Sequence, residues 1–301
     1  MKRFGLPLAL AAMLCGAPAL ADDDDRAAVA GAADTGDFDT KHIYGFTEGP
    51  AIDEPATHEA EFTTTGHFIK HGPGRYAAVE QEATDEGALS PWFGYELTLH
   101  GAASQTSGVT GLAPLAQANI SGLSSEPKFV MLRQGATSPI DLSFALEPEW
   151  DRIDTVSGQN ANNFSLTMRL MIDRELVAER LYGAANLFYA PEQDHETGAP
   201  VARFAEFGAS GALVWRFAGQ MSLGGELQYD AATNSFGFAQ KAGDAVYLGP
   251  VFFLRVSPRL FVAGAWSSQI AGRPAREDLL PTYNQSELSR QKARLTVSLA
   301  F

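Results

Sequence analysis

A chain of 301 residues with 36 Asp and Glu against 22 Lys and Arg carries a formal charge of −14, which weighs against nucleic-acid binding because that needs a basic footprint. No stretch beyond residue 21 reaches 18 consecutive apolar residues, so a bundle of membrane helices is excluded. A large soluble β protein and a membrane β-barrel remain, since a barrel spreads its apolar residues over every second position.

Residues 1–21, MKRFGLPLALAAMLCGAPALA, combine a basic start at Lys2 and Arg3, an apolar run from Phe4 to Leu14 and the small-residue pattern Ala19-Leu20-Ala21. This is the layout of a cleaved secretory signal peptide, and its apolar run is shorter than the roughly 20 residues a membrane span needs. Cleavage after Ala21 would remove Lys2, Arg3 and Cys15, leaving 20 Lys and Arg against 36 Asp and Glu, a charge of −16 and no thiol. Leu14 stands where a lipoprotein carries a small residue before its cysteine, so lipidation is not expected.

Residues 22–57 form an acidic extension rich in Ala and Gly, with neither a helical nor an alternating stripe, and are expected to be flexible or plug-like. Within it HIYGFTEGPAID, 42–53, gathers His42, Tyr44 and Phe46 beside Glu48 and Asp53. Two readings fit this group: a plain linker, and a docking peptide or plug that enters a lumen.

From residue 58 the pattern has a period of two. NFSLTMRLMID sets Phe164, Leu166, Met168, Leu170 and Ile172 against Ser165, Thr167, Arg169 and Asp173, and QMSLGGELQYD sets Met221, Leu223, Leu227 and Tyr229 against Ser222, Glu226, Gln228 and Asp230. Such runs are strands with one apolar and one polar face. Twelve are expected, over 58–68, 75–84, 91–103, 127–134, 140–150, 163–173, 176–189, 202–217, 220–230, 244–256, 259–271 and 289–301. RELVAERLYGAANL, 174–187, has a rival helical spacing through Leu176, Val177, Leu181 and Ala184. DAVYLGPVFFLRV and RLFVAGAWSS are apolar on both faces and say less.

Short connections follow the second, fourth, sixth, eighth and tenth strands, whereas longer polar ones, such as 104–126 and 272–288, follow most of the others. Only the first hairpin, through IKHGPG, breaks this rhythm. One trimmed end and one elaborated end mark an up-and-down barrel; a Greek-key sandwich has no reason to sort its loops this way. The fold class is therefore all-β, an antiparallel transmembrane barrel of about 12 strands over 58–301. Because hydrocarbon offers no hydrogen-bond partners, the last strand must close on the first.

The ending RLTVSLAF resembles the C-terminal assembly signal of Gram-negative outer-membrane β-barrels, with Arg294, hydrophobic Leu299 and the terminal aromatic Phe301; Thr296 stands where that class often has Gly. The resemblance implies location in the cell outer membrane and an encounter with the barrel assembly machinery. It also implies lipid and lipopolysaccharide around the wall. At finer grain the strand-and-loop layout resembles proteobacterial barrels of the transporter-like and phenol-degradation types, and no substrate is carried over from them. The expected function is a pore or substrate-selective channel for small solutes. The alternative is a structural or adhesive barrel acting through its external loops. The sequence does not speak to oligomeric state.

Lumen-lining candidates are Glu96, His100, Glu147, Arg169, Arg180, Glu206, Arg216, Glu226, Arg255 and Arg294, acids and bases mixed. Aromatics near strand ends, among them Trp92, Trp150, Tyr189, Trp215, Tyr229, Tyr247 and Trp266, are candidates for interface girdles. No catalytic residue, cofactor or metal site is expected. None of the six histidines has a serine two residues away on one strand face, as outer-membrane lipid hydrolases do, and Gly72-Pro73-Gly74 directly after His71 argues against a His67/His71 ligand helix.

Overall fold

The computed structural model describes residues 40–68, 74–109, 114–153, 160–195, 200–238, 241–273 and 288–301. The expected signal peptide, most of the acidic extension, most of IKHGPG and most of 272–288 lie outside these residues.

Twelve antiparallel strands run in chain order: β1 (His58–Phe68), β2 (Arg75–Ser90), β3 (Phe93–Ser107), β4 (Leu115–Leu132), β5 (Asp141–Ile153), β6 (Asn160–Val177), β7 (Leu181–Asp194), β8 (Ala202–Ala218), β9 (Met221–Thr233), β10 (Lys241–Ser257), β11 (Leu260–Arg273) and β12 (Gln291–Ala300). Each pairs with its neighbours in sequence, and β1 pairs with β12, so the sheet closes into a barrel. The seam is in full register from Glu59↔Ala300 to Phe68↔Gln291. Thr63 and Thr296 share a buried hydroxyl hydrogen bond of 2.7 Å across it. At its end Phe301 N–H donates to the His58 carbonyl at 2.9 Å.

The helical alternative for 174–187 does not form. β6 runs to Val177, a turn covers 178–180 with Glu179 at φ 56°, and β7 starts at Leu181. The largest difference from expectation is β4, which begins twelve residues before 127 and turns most of the supposed loop 104–126 into strand. Its first outward positions are the small Ala116 and Ala118, and Ser121 is an extra residue opposite His100 and Gly101, a bulge that reverses the alternation. Small residues and a broken phase hide the period there. The connections at one end are short, as Pro91-Trp92, Gly219-Gln220 and Pro258-Arg259 illustrate; this is called the turn end.

The alternation places apolar side chains outside. Leu97, Leu123, Leu213, Leu223, Leu227, Leu248 and Leu295 are all about half exposed, while the facing-in residues of the same strands, such as Ser124, Glu226, Gln228 and Thr296, are buried. This is the inverse of a soluble fold, and it suits a wall that meets hydrocarbon. Strands of 10 to 18 residues exceed the roughly 9–11 that a membrane crossing needs.

Trp92, Trp215, Phe217 and Phe301 are exposed at the turn end, and the half-buried Tyr189 and Phe207 pack with the exposed Phe238 at the other. Phe207 and Trp215 are eight residues apart on β8, about 26 Å of strand. Tyr247 is a correction: it points inward, fully buried, and donates to the Ser289 carbonyl at 2.8 Å.

Leu227 sits midway along β9 on the outer face. Leu227→Arg is expected to destabilise the barrel by roughly 2–4 kcal/mol in lipid vesicles, the cost of a cation at mid-membrane depth. A urea unfolding titration that shows less than about 1 kcal/mol would place this face out of hydrocarbon.

Candidate functional site

A barrel of twelve strands encloses more room than its own side chains fill. Part of that room is taken by the chain itself. Residues 41–50 lie inside the wall, in the same compact unit as the barrel, and contact positions near the turn end. Thr40 Oγ1 donates to Asp173 on β6 at 2.8 Å, Phe46 N–H to Glu226 on β9 at 2.8 Å, Thr47 Oγ1 to Ser210 on β8 at 2.9 Å, and Ser143 Oγ on β5 to the Pro50 carbonyl at 2.5 Å. With its amide turned so that the oxygen faces the Glu48 N–H, Asn186 on β7 brackets Glu48, accepting from that N–H at 2.7 Å and donating to the Glu48 carbonyl at 3.0 Å.

Apolar contacts complete the seat. Ile43 is fully buried, and the His42 ring stacks on Phe261, 4.3 Å between centroids, which in turn packs on Phe253. Phe46 lies under the Arg294 and Lys292 cations, 4.8 and 5.7 Å from its centroid. Gly45 presses against β11 so closely that a Cβ there would stand 2.5 Å from the Ala265 Cβ and 2.8 Å from Glu226 Oε2. No side chain fits at Gly45 without moving the segment.

Above this segment the lumen holds a cavity of about 440 Å³ in which carboxylates outnumber lysines and arginines by more than two to one. β2 presents Glu80, Glu82 and Glu86 inward and β5 presents Glu147, Glu149 and Asp151, two ladders at period two. One ion-pair network crosses the wall between them. Lys128 meets Glu96 at 2.9 Å and Glu126 at 3.4 Å; Arg169 meets Glu126 at 2.9 Å, Glu147 at 3.6 Å and Glu48 of the inner segment. Lys292 pairs with Asp230 at 2.5 Å.

Of the candidates read from sequence, Glu96, His100, Glu147, Arg169, Glu206 and Arg294 line the cavity, and Glu226 faces in, almost wholly buried, as the acceptor for Phe46. Arg180, Arg216 and Arg255 do not line it. Arg180 lies in the turn before β7, Arg216 donates to the Gly219 carbonyl at 3.0 Å, and Arg255 stands two residues before the end of β10. All three sit at the turn end, in or within a few residues of its short connections. Missed from sequence were Glu80, Glu82, Glu86, Glu126 and Lys128, on strands whose inward phase was legible only once a bulge or boundary was known, and Asp230, which stands on the plainly polar face of β9.

The structure also brings His100 Nε2 to 2.9 Å from Ser124 Oγ, a pair that sits on adjacent strands and escapes a search along one strand. Ser124 Oγ also lies 3.3 Å from Glu147 Oε1, so the carboxylate stands beside the serine, whereas in a nucleophilic triad the acid orients the histidine.

Lys41 and His42 meet four carboxylates. Lys41 Nζ lies 2.6 Å from Glu86, 3.1 Å from Asp53 and 3.9 Å from Glu59; His42 lies 3.3 Å from Glu59, 3.4 Å from Glu61 and 3.5 Å from Glu86. Burial works against the His42 cation, but the close Glu59 and Glu86 carboxylates outweigh it and the opposing Lys41, lifting its pKa to about 9.

A closed antiparallel barrel with an apolar outside, aromatic ends and a charged interior has the fold of the outer-membrane β-barrel class. Residues 37–301 match the model of a family described as a family of unknown function, DUF6662, and the chain belongs to that family. No curated protein matches it. In fold it is similar to an outer-membrane channel of Pseudomonas putida F1, with a TM-score of 0.54 and 10% identity over 88% of this chain and 99% of that one. Looser likenesses are to the translocator domain of the autotransporter NalP of Neisseria meningitidis, at 0.49 and 10% identity over 81% and 87% of the two chains, and to the NanC porin, at 0.48 and 9% over 80% and 98%. At such identities the likeness speaks for the fold.

Gly45→Leu is expected to expel residues 41–50 from the wall while the barrel stays folded. Trypsin then cuts after Lys41 in the folded variant and spares that bond in the parent, as mass spectrometry of the released peptides would show. Equal resistance in both would mean that the close approach to Ala265 does not hold the segment.

Proposed function

We propose that this protein is an outer-membrane channel for small solutes, favouring cations, with residues 41–50 set in its path at the periplasmic end. The observation that carries the reading is the excess of inward carboxylates over lysines and arginines in a cavity of about 440 Å³. An interior built only to be filled is expected to match acids with bases, whereas an excess of fixed negative charge between low-dielectric walls raises the local concentration of cations. The fold of the Pseudomonas putida F1 outer-membrane channel supports the architecture this requires. Lipid and lipopolysaccharide would surround the wall, and assembly would begin from the ending with Arg294, Leu299 and Phe301.

A second reading is favoured by one observation, the network of Lys128, Glu96, Glu126, Arg169, Glu48 and Glu147 that ties wall to inner segment. A barrel locked in this way would not conduct and would act through its external connections, as a structural or adhesive element.

Planar-bilayer recording of the refolded full chain separates the two. The channel reading expects small current steps with a reversal potential displaced toward the cation in a salt gradient, and steps several-fold larger in Gly45→Leu. Silence from both, in protein whose heat-dependent gel mobility reports a folded barrel, sinks the channel and leaves the second reading.

A further inference from the structure

We infer that His42, Glu59 and Glu86 form a divalent transition-metal site, of the zinc type, that fastens the inner segment to the β1–β2 wall. His42 Nε2 lies 3.3 Å from Glu59 Oε1 and 3.5 Å from Glu86 Oε1, and the three atoms all fall within 4.8 Å of one another. For metal–ligand bonds of about 2.0–2.2 Å the edge of a tetrahedron is about 3.3–3.6 Å. Two of the edges therefore already have the length that zinc imposes.

A second observation points the same way. His42 Nε2, Glu59 Oε1 and Glu86 Oε1 are buried atoms that make charge contacts but no hydrogen bond of good geometry among the described residues, and both carboxylates belong to side chains more than nine-tenths buried. A buried polar atom left in that state is costly. One ion at their centre would satisfy all three.

The surroundings suit such an ion. Glu61 Oε2 stands 3.4 Å from His42 Nδ1, where an outer carboxylate would orient the imidazole so that Nε2 faces the metal. Asp53, Glu59, Glu61 and Glu86 set four carboxylates around Lys41 and His42, so a divalent cation there meets more acidic groups than basic ones. Lys41 Nζ touches the same Glu86 oxygen, and Asp53 at 3.1 Å keeps it paired when the metal takes that oxygen. One imidazole and two carboxylates, with a fourth position left for water, favour zinc over calcium or magnesium, which prefer all-oxygen shells. His42 comes from the inner segment and both acids from the wall, so the bound ion acts as a clasp. The inference rests on this geometry and not on whether the barrel conducts.

The test is isothermal titration of zinc chloride, backed by elemental analysis, into the EDTA-stripped, refolded full chain in detergent with excess magnesium. The expected result is one zinc per chain and a raised melting temperature. His42→Ala is expected to abolish both, and Glu61→Gln, which leaves every ligand in place, to weaken binding roughly 10–100-fold. Heat-dependent mobility confirms that each variant is folded. Asn replacements of Asp22 to Asp25, the run of four acids that opens the extension, should leave uptake unchanged. The inference is overturned if no stoichiometric zinc is taken up, if uptake survives His42→Ala, or if it is lost with the Asp22–Asp25 run instead; in the first case the cluster is a buried ion-pair network only.

Discussion

Everything in this molecule depends on the pairing of β1 with β12. An antiparallel sheet in hydrocarbon cannot leave an edge, because each unpaired amide or carbonyl there would cost several kcal/mol, and the seam from Glu59↔Ala300 to Phe68↔Gln291 removes both edges that an open sheet of twelve strands would have. Once the sheet is closed, period two divides every strand between two solvents. Leucines and aromatics go outward, and the polar and charged residues have nowhere to go but the lumen.

That division creates the problem the lumen then solves. Carboxylates inside a low-dielectric wall need counter-charges with good geometry, since a buried ion without its partner is strongly destabilising. Lys128, Arg169 and Lys292 supply some of them from the wall. Lys41 and His42 are brought in on a segment that belongs to no strand, together with backbone donors for Glu226 and a ring for Arg294 to rest on. Residues 41–50 are thus part of the barrel's electrostatic interior, and any solute path at the turn end runs through the bonds that hold them.

Sequence periodicity exposes the wall far better than what fills it. Strands such as β6 and β9 are plain because their outward and inward residues differ in kind at every step, whereas β4 is obscured by Ala116, Ala118 and the bulge at Ser121. The inner segment is hidden because its partners lie far away in sequence, with Thr47 and Ser210 separated by 163 positions and Phe46 and Glu226 by 180. A signal was nevertheless present. β10 and β11 are apolar on both faces in a barrel whose interior is otherwise polar, and the inward ones among them, Val251, Phe253, Phe261 and Ala265, are the surface on which Gly45 and His42 pack. Two-faced apolar strands in such a barrel point to something inside.

The central claim is that residues 41–50 occupy the lumen of the assembled barrel, and a cross-link tests it most directly. Thr47 Oγ1 and Ser210 Oγ are 2.9 Å apart. With cysteine at both positions, mild oxidation of membranes containing the protein should close a disulfide in nearly every chain, seen as a mobility shift on a denaturing gel that reductant reverses. Two free thiols, both labelled by a membrane-impermeant maleimide while the barrel remains heat-modifiable, would contradict the account.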